Sequence, residues 1–118
     1  VVIDDDEINI FLTTRILKQY HPDFQIQAYK DGKQAVQEFL TSGYQEDWIV
    51  LLDINMPIYN GWDFLEDIEK HQIKINIFMF SSSINARDQE KSKANRHVLD
   101  YISKPLTSLK IEKILFQI

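Results

Sequence analysis

Five short strand-like runs alternate along this chain with five stretches of helical periodicity, and no other feature of the sequence limits the fold so strongly. Val1-Val2-Ile3 is apolar and β-branched and stops at Asp4-Asp5-Asp6, as a buried strand ending at acids would. From Ile8 to Tyr20 apolar residues recur at Ile8, Leu12, Ile16 and Tyr20, with Phe11 and Leu17 widening the stripe, which predicts an amphipathic helix. After Pro22, Phe24 to Tyr29 alternates apolar and polar side chains and reads as a half-exposed edge strand. Asp31 then caps a helix carrying Ala35, Val36, Phe39 and Leu40, closed by Gly43. Trp48 to Leu52 is apolar on both faces and halts at Asp53, so it predicts a central strand.

The alternation continues to the end of the chain. Gly61 precedes a helical pattern of Phe64, Leu65 and Ile68, and Ile75 to Phe80 forms another apolar strand ending at Ser81-Ser82-Ser83. Asn85 and Asp88 suit the start of a polar helix running to about Arg96. A strand from Leu99 to Ser103 leads into Lys104-Pro105, and Leu106 to Ile118 places Ile111, Ile114, Leu115 and Ile118 on one helical face. Strands and helices alternating at this interval predict an α/β fold, a parallel five-stranded sheet covered on both faces. The expected strand order is 2-1-3-4-5. In such sheets ligands bind beyond the carboxyl ends of the strands, near the point where strand order reverses.

With 118 residues, 44% of them hydrophobic and 26% charged, the chain has the size and composition of a single globular domain, expected to span 1–118. The start at Val1, without Met and inside a strand, is compatible with a piece of a longer protein. No apolar run approaches the roughly 18 residues that cross a bilayer, so no membrane partner is expected. The lack of cysteine rules out disulfides and thiolate chemistry and fits a cytoplasmic setting. A net charge of −5 argues against direct nucleic-acid binding.

Polar clusters end three of the strands: Asp4-Asp5-Asp6 the first, Asp53 the third and Ser81-Ser82-Ser83 the fourth, while Lys104-Pro105 follows the fifth. A parallel sheet brings them to one edge. Carboxylates held at ~4 Å repel by several kcal/mol even at an effective dielectric near 20, so the arrangement calls for a cation. Hard oxygen donors point to Mg²⁺, with Mn²⁺ as the alternative, rather than Zn²⁺. Beside such a cation a carboxylate can attack phosphorus. Lys104 and Ser81 are the groups available to stabilise the transferred oxygens.

Taken singly, most of these features have plainer readings. An acidic triplet after a strand is more often a helix-capping cluster, a serine run more often a polar loop, and Lys-Pro a turn. Asp53 resists that treatment, because an apolar run ending in Asp and followed by Asn55-Met56-Pro57 and Asn60-Gly61 is uncommon by chance. His21, His71 and His97 show no metal-ligand spacing and read as surface or packing residues.

In order along the chain, Val2-Ile3-Asp4-Asp5, Leu51-Leu52-Asp53 with Asn55-Met56-Pro57 and Asn60-Gly61, Phe78-Met79-Phe80-Ser81, Tyr101 and Lys104-Pro105 resemble the receiver domains of two-component response regulators. The resemblance implies a single three-layer (βα)5 domain of the flavodoxin-like, CheY-like type. It implies a signalling switch rather than a turnover enzyme, one that assists only its own phosphorylation and dephosphorylation. Asp53 would accept the phosphoryl group from a histidine kinase or histidine phosphotransfer protein. Mg²⁺ would be held by Asp5, Asp53 and the backbone carbonyl of Asn55, with Asp4 acting through water. Lys104 would pair with the phosphoryl oxygens, Ser81 would donate its hydroxyl, and Tyr101 would turn inward as the aromatic switch. Pro105 would follow a cis bond. The fourth helix, fifth strand and fifth helix would carry the readout, with homodimerisation through that face as one outcome.

Two positions depart from the family's usual pattern. Ser81 stands where threonine is more frequent, which keeps the hydroxyl and loses a rotamer-limiting methyl. Asn95-Arg96-His97-Val98 lacks the glycine that commonly ends the fourth helix, so Asn95 or a neighbour would have to supply any left-handed cap. Competing chemistries fit less well. An aspartate-nucleophile phosphatase of the haloacid dehalogenase type wants a second acid where Asn55 stands. A flavodoxin-like nucleotide site would meet three aspartates after the first strand, and an EF-hand fails at Pro57 and Ile58. A receiver working by contact alone would not need Asp5, Asp53, Ser81 and Lys104 together.

Overall fold

A computed structural model describes all residues, Val1–Ile118. The elements are β1 (Val2–Ile3), α1 (Glu7–Tyr20), β2 (Ala28–Tyr29), α2 (Gly32–Ser42) and β3 (Ile49–Leu52), then α3 (Gly61–Lys70), β4 (Asn76–Ser81), α4 (Ala86–Ala94), β5 (Val98–Ser103) and α5 (Ser108–Phe116). The strands form one parallel sheet in the order β2-β1-β3-β4-β5. This is the expected α/β architecture and strand order.

Successive strand residues point to opposite faces, which divides the interior in two. Ile3, Leu52 and Met79 join Phe39 of α2 and Phe64 and Ile68 of α3 on one face. Val2, Leu51, Phe78 and Phe80 join Ile111 and Ile114 of α5 on the other, where Ile10, Ile16 and Leu17 of α1 also pack. Each central strand is therefore apolar on both sides, and the sheet is the middle of three layers.

Side-chain caps start the helices. Asp6, Asp31, Asn60, Asn85 and Thr107 each accept a backbone N–H of the helix they precede, and Asn60 forms a full capping box with Asp63. Gly43 closes α2 at φ 88°, a conformation suited to glycine.

Two expectations change, and the α4–β5 turn, open in the sequence, takes a definite form. Ile8, Phe11 and Leu12 of α1 are exposed, and the face turned inward carries Ile10, buried Thr13, Leu17 and Tyr20. A four-residue recurrence drifts by about 40° per step around a helix of 3.6 residues per turn, so Ile8 and Tyr20 cannot share one buried stripe. The second strand is only two residues long: Phe24–Gln27 form no regular strand, although the Gln27 carbonyl accepts the Val2 N–H at 2.8 Å. Finally, α4 ends without a left-handed cap. Asn95 is extended, and its side chain instead accepts the His97 N–H at 2.9 Å to form the turn into β5.

Candidate functional site

Asp4, Asp53 and Lys104 lie just past strand ends, and the backbone of a neighbouring strand fixes each of them there. Asp4 N–H donates to the Tyr29 carbonyl at 3.0 Å, Asp53 N–H to that of Ile3 at 2.9 Å, and Lys104 N–H to that of Ser81 at 3.0 Å. Sheet register therefore sets the spacing of the acids and the lysine before any side-chain contact forms. Gly61 holds the floor. A Cβ there would lie 2.5 Å from the Asp53 carbonyl oxygen, so the start of α3 closes on β3 only because this residue has no side chain.

Asp4, Asp5 and Asp53 each offer a carboxylate oxygen, and these oxygens lie within 4.8 Å of one another. Asp4 and Asp53 are buried and Asp5 is exposed. Asp6, the third acid of the run, is occupied as the α1 cap, with its carboxylate accepting from Ile8 N–H at 2.9 Å. Lys104 Nζ sits 2.6 Å from Asp4 Oδ2 and 3.6 Å from Asp53 Oδ2, and 5.6 Å from the centre of the Phe80 ring. One lysine stands among three acids, so carboxyl groups outnumber ammonium groups in the cluster.

Burial raises the pKa of the Asp53 carboxyl, with Asp4 and Asp5 pushing the same way, while Lys104 and the Ile54 N–H at 2.8 Å oppose the shift. An oxygen-only donor set with surplus negative charge and one solvent-facing member fits a hard divalent cation. Asn55 is exposed, two residues beyond Asp53.

Ser81 ends β4 and is buried, its Oγ accepting the Ser83 N–H at 3.1 Å. Tyr101 lies on β5, half-buried, and its hydroxyl donates to the Ser83 carbonyl at 2.7 Å. The Lys104–Pro105 bond is cis. The fold thus brings Asp4, Asp5, Asp53 and Lys104 into one cluster and places Ser81 beside Lys104 on the neighbouring strand.

Residues 1–116 match the response regulator receiver domain family. The chain belongs to that family. A solved two-component response regulator from Cytophaga hutchinsonii shares the receiver fold with a TM-score of 0.87 and 34% identity, over 98% of this chain and 92% of that one. An uncharacterized response regulatory protein of Staphylococcus epidermidis and the transcriptional regulatory protein HptR of Staphylococcus aureus are each 33% identical to this receiver domain over 117 residues. Both matches take in 98% of this chain and 44% of the relative, so the chain spans less than half the length of these curated relatives. Receiver domains are the signalling phospho-acceptors of two-component systems. No helix of this one is long and apolar enough to cross a membrane.

Two features of the site escaped the sequence. Asn60-Gly61 was visible as a motif, but the approach of Gly61 to the Asp53 carbonyl depends on how α3 meets β3. Away from the site, His97 is a packing residue, as expected, its largely buried side chain bonded to Glu69 of α3, and Arg96 clamps the same carboxylate at 2.6 and 3.0 Å. Ser83 had no separate signal within the serine run, yet it joins Ser81 to Tyr101.

Proposed function

We propose that Asp53 accepts a phosphoryl group from the phosphohistidine of a histidine kinase or histidine phosphotransfer protein, and that the α4-β5-α5 face passes the event to an output domain or partner. The observation that carries this reading is the cluster itself: a buried Asp53 carboxylate with Lys104 Nζ at 3.6 Å and the oxygens of Asp4 and Asp5 within 4.8 Å. An Asp53 oxygen attacks phosphorus as the P–N bond breaks, and the departing imidazole nitrogen keeps the bonding electron pair. An aspartyl phosphate and a free histidine result.

Asp5 and Asp53, with the Asn55 carbonyl, are the groups that would hold Mg²⁺, and Asp4 would support it through water. When bound, Mg²⁺, or Mn²⁺ in its place, neutralises the acids and draws charge from the phosphoryl group. Lys104 transfers its pairing from Asp4 toward the new phosphoryl oxygens, which present more charge than the carboxylate they replace. Ser81 turns its hydroxyl to the same group and gives up the Ser83 N–H. Tyr101 reads that movement as the aromatic switch. Homodimerisation through the α4-β5-α5 face would be one way to use the change, in a cytoplasmic response regulator whose output lies outside this domain.

Incubation with acetyl phosphate and Mg²⁺ followed by intact-mass measurement tests the reading. The wild type should gain one phosphoryl group that is lost in base, and neither Asp53→Asn nor a Mg²⁺-free sample should. An unmodified wild type, or an equally modified Asp53→Asn, would sink it.

A further inference from the structure

Three elements of the molecule meet at Ser83. Its N–H donates to Ser81 Oγ at 3.1 Å and its carbonyl accepts from the Tyr101 hydroxyl at 2.7 Å. Its own hydroxyl donates to Asp88 Oδ2 at 2.9 Å and accepts the Asn85 N–H at 3.2 Å. Asp88 lies in the first turn of α4. One residue is therefore bonded at once to the hydroxyl proposed to meet the phosphoryl group, to the ring on β5 and to the start of α4.

The composition of α4 makes that last bond matter. Ala86–Ala94 contains no apolar side chain larger than alanine, and Ser92 alone is buried. By contrast, α2 buries Val36 and Phe39, and α3 buries Phe64, Leu65 and Ile68. A helix without large buried side chains lacks their hydrophobic hold on the sheet, so polar ties decide where it sits. Behind the first turn these are Lys91, placed 4.5 Å over the Trp62 ring, and the Asn95 turn with the Glu69 clamp. The tie at the front is Ser83 to Asp88, and it is the one bonded to Ser81.

We propose that Ser83 is a positioning residue that transmits displacement of Ser81 to α4, its hydroxyl-to-Asp88 bond making the first helical turn follow the β4–α4 loop. The assignment rests on Asp53 being the phospho-acceptor. If Ser81 turns toward a phosphoryl group, the Ser83 N–H loses its acceptor and the loop shifts. Asp88 then draws the polar helix with it, because no buried apolar side chain resists.

Hydrogen exchange at the α4 amides, measured with and without acetyl phosphate and Mg²⁺ and scaled to the adduct fraction by intact mass in the same samples, tests this. The wild type should change its α4 exchange by roughly fivefold, the equivalent of one hydrogen bond of about 1 kcal/mol. Ser83→Ala and Asp88→Ala should carry the adduct but lose the change, and Ser83→Thr, which keeps the hydroxyl, should restore it. The readout is the phosphorylation-dependent difference, which a purely structural role for Ser83 would leave in place. A wild type without adduct overturns the reading of Asp53. An adduct on Ser83→Ala with the wild-type change in α4 overturns the role of Ser83, as does failure of Ser83→Thr to respond.

Discussion

At the scale of single residues, the charge state of Asp53 bears on stability as well as on the proposed chemistry. Burial, with Asp4 and Asp5, raises its pKa against the pull of Lys104, so the folded chain holds this proton more tightly than the unfolded chain does. The sign follows by linkage. The stability this group contributes is fully present below the ordinary carboxylate value and is lost as pH rises through the raised folded value. Without divalent cations, Asp53→Asn should therefore gain stability relative to wild type across that interval, with the difference levelling off above it. Thermal unfolding of both proteins from about pH 4 to 7 checks this, and a wild type that gains on the variant as pH rises would contradict it. Asp53 was legible in the sequence because an apolar run ending in a lone acid leaves few alternatives. Ser83 was not, since its three bonds depend on how β5 and α4 meet the β4–α4 loop.

At the scale of elements, what the sequence displayed best was type and order. The runs at Val1–Ile3, Trp48–Leu52 and Ile75–Phe80 announce strands because central strands of a parallel sheet are apolar on both faces. The inward face of α1 was harder, since Ile8, Phe11 and Leu12 are as apolar as the residues that pack and only the phase set by the Asp6 cap separates them. The loop from β3 to α3 raises a different matter. Ile58 stands there at φ 69° and fully exposed, a left-handed conformation that a β-branched residue adopts only under strain. Replacing it by glycine relieves roughly 1–2 kcal/mol of strain, offset by roughly 0.5–1 kcal/mol of unfolded-state entropy. Ile58→Gly should accordingly stabilise the domain by about 0.5–1 kcal/mol in denaturant unfolding, and a clear loss of stability would show that Ile58 is not strained.

Across the whole molecule, a parallel sheet converts distant sequence into one site. Asp4 and Lys104, separated by 100 positions, meet at 2.6 Å because both follow strands that end at the same edge. The strand order was legible as well, since it carries these ends toward the reversal point between β1 and β3. Distances were not: that Lys104 rests on Asp4 rather than Asp53 is a matter of packing, which no motif encodes. In the proposed reading the signal reaches the α4-β5-α5 face, and the β4–α4 loop, where Ser83 bonds both Ser81 and Asp88, is the route that the polar contacts offer. The proposed signalling depends on one covalent event at one residue. Borohydride reduction of the domain after treatment with acetyl phosphate and Mg²⁺, followed by peptide mass spectrometry, converts an aspartyl phosphate to homoserine and so locates it. The account predicts homoserine at position 53 alone, and homoserine at Asp4 or Asp5, or at no position, would contradict it.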